Sequence, residues 1–105
     1  MTLTRDVQSK QMTAHLVADV TLYPTAADGR QSPVQPSWGC PCFVSRQSTS
    51  GGYDARLLLD APLAPGDSDR LGFVFLSGDE AAAAFRKAGV FYLWDGKFVG
   101  EAKVI

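Results

Sequence analysis

Val90-Phe-Tyr-Leu-Trp-Asp-Gly-Lys-Phe-Val-Gly100 sets the architecture of this chain. Two apolar, aromatic runs flank Asp95-Gly96. Asp-Gly between such runs signals a β-hairpin, because a type I′ turn needs φ > 0 at both central residues. The spacing predicts strands over Val90–Trp94 and 97–105. In the last strand Phe98, Gly100, Ala102 and Val104 share one face and Lys97, Glu101 and Lys103 the other.

Just upstream, Asp60-Ala-Pro-Leu-Ala-Pro-Gly-Asp67 is punctuation, since proline fixes φ and removes a ladder donor. Residues 70–76 form a strand that is apolar on both faces. Ser77 and Glu80 have capping-box spacing and open a short helix through 81–84, with Phe85 as its anchor and Gly89 at its left-handed end. Nearer the N-terminus, 13–22 alternates with period two. Ala14, Leu16, Ala18, Val20 and Leu22 point one way, and Thr13, His15, Asp19 and Thr21 the other. Residues 24–37, with Pro24, Gly29, Pro33 and Pro36, make a long loop. Short strands follow over 40–45 and 53–59, separated by the Ser/Thr/Gly-rich stretch 47–52. Residues 1–11 are polar and aperiodic and read as a flexible N-terminal arm, leaving 12–105 as a single domain. Six strands and one short helix predict an all-β fold, an antiparallel six-stranded Greek-key-type barrel. Closure also removes sheet edges that invite aggregation.

Composition narrows the function classes. The chain has 105 residues, enough for one core. Ten basic and eleven acidic residues nearly cancel, so no broad positive field attracts nucleic acid. No apolar run approaches the ~20 residues of a membrane span, and no secretory signal is visible, so a cytoplasmic protein is expected. Cys40 and Cys42 are too close for an unstrained disulfide. On a strand their thiols share a face, yet a structural zinc site needs four ligands and His15 is the single remaining His or Cys. A small thiol or metal protein centred on Cys40 and Cys42 is therefore a secondary alternative, against two buried cysteines acting as small hydrophobes. His15 is read as a solvated strand histidine. No cofactor is expected. A Gly-x-x-x-x-Gly-Lys-Ser/Thr phosphate loop is absent, and the chain contains no asparagine for a base-reading Asn-Lys-x-Asp motif, so no nucleotide is expected either.

Three segments in order carry a resemblance. They are Trp38-Gly-Cys-Pro-Cys-Phe43, Pro65-Gly66-Asp67 and Asp95-Gly96-Lys97-Phe98-Val99-Gly100. Together with Leu16-Val-Ala-Asp-Val20 they resemble the C-terminal (third) β-barrel domain of the elongation factor Tu family, here as a stand-alone domain. Pro41 and Phe43 match the family's entry to its second strand, while Cys40 stands where the family has arginine and Cys42 where it has glutamine. The closing hairpin is one residue shorter than the family's. The resemblance implies a non-catalytic binding module with a place in translation, whose partner is structured RNA (tRNA) or protein. The lost arginine and the near-neutral charge shift the expectation toward protein. The expected contact residues are Trp38, Cys40, Phe43, Trp94, Asp95 and Lys97. The alternative is a homo-oligomeric structural protein that uses the strand over 91–94 as its contact.

Overall fold

The computed structural model describes residues 13–105, so the arm expected over 1–11 lies outside the described residues. Six strands form a closed, fully antiparallel barrel in the order β1-β4-β3-β2-β5-β6. They are β1 (Leu16–Leu22), β2 (Gly39–Phe43), β3 (Tyr53–Leu58), β4 (Ser68–Phe75), β5 (Val90–Trp94) and β6 (Phe98–Val104). The meander β2-β3-β4 followed by a return of β5 to the side of β2 is a Greek key. Its return connection carries the helix α1 (Asp79–Ala88).

The core follows from alternation. In β1, Leu16, Ala18, Val20 and Leu22 are buried and the residues between them exposed. β3 inserts Ala55 and Leu57, β4 inserts Leu71, Phe73 and Phe75, and β5 inserts Phe91 and Leu93. The helix lies against β4 and β5 through Ala81, Ala82 and Phe85, all fully buried. The Phe85 ring stacks on Phe91 with centroids 4.2 Å apart and meets Tyr53 edge-on at 5.6 Å. Small alanines let α1 approach closely enough for Phe85 to reach the core.

The helix start differs from the capping-box reading. Gly78 is the N-cap, at φ 63 and ψ −133, and no side chain caps the first turn. At that φ a glycine is favoured, and it places Ser77 outside capping reach. Asp79 and Glu80 in the first turn, with Arg86 and Lys87 in the last, complement the helix dipole. The C-terminal expectation holds: Gly89 has φ 83, and its N–H donates to the Phe85 carbonyl at 2.8 Å.

The closing hairpin also differs. Trp94 pairs with Phe98, so the connection is the three-residue loop 95–97. Gly96 has φ 74, but Asp95 is not among the positive-φ residues, which rules out type I′.

Candidate binding surface

The departure from regular pleating that matters most lies in β6. Leu93 pairs with Gly100 while Trp94 pairs with Phe98, so Val99 is an extra residue on β6. This is a β-bulge, and it changes which side chains face in. Val99 is 1% exposed in the core, whereas Phe98 turns outward beside Trp94. The strictly alternating face expected for Phe98, Gly100, Ala102 and Val104 is therefore broken at its first member.

Outside the barrel Phe98 completes an aromatic cluster on β2, β5 and β6. Its ring meets Trp94 at 4.9 Å, Phe43 at 6.0 Å and Tyr92 at 6.3 Å, each near-perpendicular. Phe43 also meets Trp94 edge-on at 6.4 Å. Edge-to-face rings attract through their quadrupoles. Phe43 is buried, backed by Gly52, where a Cβ would collide with its ring. Tyr92, Trp94 and Phe98 remain half-buried. The Arg46 guanidinium lies over Tyr23 at 5.1 Å and over Phe98 at 5.9 Å, and it enters no ion pair among the described residues. The Tyr23 hydroxyl donates to Glu101 Oε1 at 3.1 Å. Burial first, then that carboxylate, push the Tyr23 phenol up to about 12.

The loop between β1 and β2 folds onto the hairpin tip. Its 3-10 turn, Thr25–Ala27, is followed by Asp28 in the left-handed region at φ 67. Arg30 pairs with Asp95 and lies over the Trp38 ring at 5.3 Å. Lys97 Nζ donates to Asp28 Oδ1 at 3.0 Å. Thus Trp38 and Asp95 are joined through Arg30, while Trp94 and Phe43 meet directly. The charges of Asp95 and Lys97 are both matched within the chain. Cys40 is 6% exposed and belongs to the core, so its thiol is not presented at this surface.

Cys40 and Cys42 are both free and buried, with their side chains facing the core. The Cys42 thiol donates to the Cys40 carbonyl at 3.8 Å. Hydrogen bonding with the Cys40 side chain and burial push the Cys42 thiol well above its ordinary range, which disfavours the nucleophilic thiolate. No group of three or more His, Cys, Asp or Glu side chains gathers to hold a metal ion among the described residues. His15 is not a freely solvated side chain. Its Nδ1 accepts from the Phe75 N–H at 3.0 Å, and its ring stacks on Phe75. Its own N–H donates to the Phe73 carbonyl at 2.9 Å, which extends the β1–β4 pairing by one residue.

Sequence reasoning finds Phe43 and Trp94, and puts Tyr92 on the face of Trp94 without deciding which face is outside, but misses Phe98, Arg46 and Tyr23 as parts of one surface. Gly100 carries a signal for the bulge. A Cβ there would lie 2.8 Å from the Thr21 carbonyl oxygen, and glycine inside a strand marks close approach or a bulge.

Comparison with protein-family models finds no match, and neither does comparison with curated proteins.

Proposed function

We propose that the chain is a non-catalytic binding module that recognises a protein partner through the outer aromatic face of β2, β5 and β6. The observation that carries this reading is the Phe43–Tyr92–Trp94–Phe98 cluster beneath Arg46, which enters no ion pair among the described residues. Aromatic rings and arginine are enriched among interface hot spots, the rings because they bury much area for little entropy and arginine because its planar guanidinium makes several directed hydrogen bonds. Here the rings are already locked edge to face, so ordering them on binding loses little.

A protein is favoured over structured RNA on electrostatic grounds. Arg46 is the one unpaired cation over this cluster among the described residues, while Arg30 and Lys97 are neutralised and Glu101 adds negative charge. Phosphate contacts need several free cations. The resemblance to the third domain of elongation factor Tu supports a role as a recognition domain, in the cytoplasm and in translation, and the protein partner fits that setting.

The test is site-specific photo-crosslinking in cells of origin, with the reactive group at Tyr92 and a control at Arg70, exposed on β4, three strands from β5 around the barrel. One protease-sensitive adduct is expected from Tyr92 and none from Arg70. A nuclease-sensitive adduct whose yield falls steeply with salt would replace protein by RNA.

A further inference from the structure

The outer face of β2, β3 and β4 carries a groove of about 640 Å³ that the aromatic surface does not use. The strand register lays out its parts. Cys40, Ala55 and Phe75 lie side by side across the three strands and turn their side chains inward. Their backbone is therefore the floor. On one side of this row stand Gly39, Arg56 and Val74. On the other stand Pro41, Asp54 and Leu76. The Leu76 N–H donates to the Asp54 carbonyl at 3.0 Å, which fixes it next to Asp54. Leu76 is 85% exposed, more than any other large hydrophobic residue among those described. Arg56 and Asp54 are exposed, and neither enters an ion pair among the described residues.

The two rows complement each other. We propose that this face binds a second copy of the chain about a two-fold axis lying along the Cys40–Ala55–Phe75 row. Such an axis reverses strand direction and keeps the order of strands across the contact, so β3 faces β3 antiparallel. Arg56 of each copy then meets Asp54 of the other, Val74 meets Leu76, and Gly39 gives room to Pro41. Each charge finds its opposite, giving two ion pairs related by the axis, and the exposed leucine finds an apolar partner. A two-fold contact requires this self-complementarity, in which residue i meets j and j meets i. The charge order along β3 supplies the orientation, because a parallel arrangement would set arginine against arginine.

Sedimentation equilibrium of the full chain tests the proposal. The unmodified chain dimerises. Arg56→Asp and Asp54→Arg each weaken the dimer at least about ten-fold, since like charges then face each other at two places. An equimolar mixture of the two variants recovers a heterodimer, and the double variant recovers a homodimer. Leu76→Asp dissociates it, and Trp94→Ala leaves it intact. All four substituted positions are at least partly exposed, and circular dichroism checks that each variant folds. A monomer at the highest attainable concentration overturns the proposal. So does a dimer that ignores both charge reversals, a mixture that stays monomeric, or a dimer lost in Trp94→Ala, which would move the contact to β5.

Discussion

Gly52 and Gly96 show two different reasons for glycine. At Gly96 nothing lies within 4 Å of the position a Cβ would take, but φ is 74. Gly96→Val therefore strains backbone alone, by about 1–3 kcal/mol. A lowered urea midpoint with an unchanged slope is the expected result. Gly52 is the opposite case, since a Cβ would collide with the Phe43 ring. Gly52→Ala should cost about 1–3 kcal/mol by overpacking and should also perturb the tryptophan fluorescence of the cluster. Tyr23 acts through its proton. Its phenol is raised to about 12, above its ordinary 10.0, so the neutral form is favoured by folding. That contribution is fully present below pH ~10 and is lost as pH rises through the folded value. Stability should fall between those values, and Tyr23→Phe should flatten the fall in a pH series of thermal melts. Single residues are also where sequence reading reaches least far. Asp95-Gly96 marks a turn, but the hairpin tip is held by Arg30 and Asp28, which are distant in the chain. Period-two counting puts Phe98 on one face with Gly100, Ala102 and Val104 because it assumes a regular pleat, which the Val99 bulge breaks.

Among the elements, strands are legible in the sequence because one face of each is buried. In β1 the alternation along the chain is the alternation of burial, whereas β5 is apolar throughout and its sequence does not choose its inner face. β2 is less legible, for Pro41 interrupts its donors and Phe43 is buried outside the barrel rather than within it. The helix is legible through its alanines and Phe85, though its cap is not. α1 spans ten residues, too short to persist alone, so its stability comes from its buried face. Phe85→Ala removes the ring that stacks on Phe91 and should cost about 3–5 kcal/mol. Since small domains hold about 5–15 kcal/mol in all, this variant should melt much earlier or fail to fold. Glu80→Gln, exposed in the first turn, should shift the melt little by comparison.

Across the whole molecule, closure of the barrel separates an aliphatic and aromatic core from a second aromatic cluster outside it. The bulge in β6 makes that division by sending Val99 in and Phe98 out. No helix among the described residues is long and apolar enough to cross a membrane. The fold brings Phe43 to Trp94 and Arg30 to both Trp38 and Asp95. What one-dimensional reading lacks is the pairing of charges across the loop, which leaves Arg46 as the unpaired cation at the cluster among the described residues. The proposed role stands or falls with a protein partner seated on this outer cluster. Isothermal titration of the crosslinked partner against Trp94→Ala, Phe98→Ala and Arg70→Ala, on β4 three strands from β5, decides it. Binding should weaken about 30-fold in the first two, as for a hot spot of about 2 kcal/mol, and stay unchanged in Arg70→Ala. Unchanged affinity in Trp94→Ala and Phe98→Ala, with both variants folded, would overturn it.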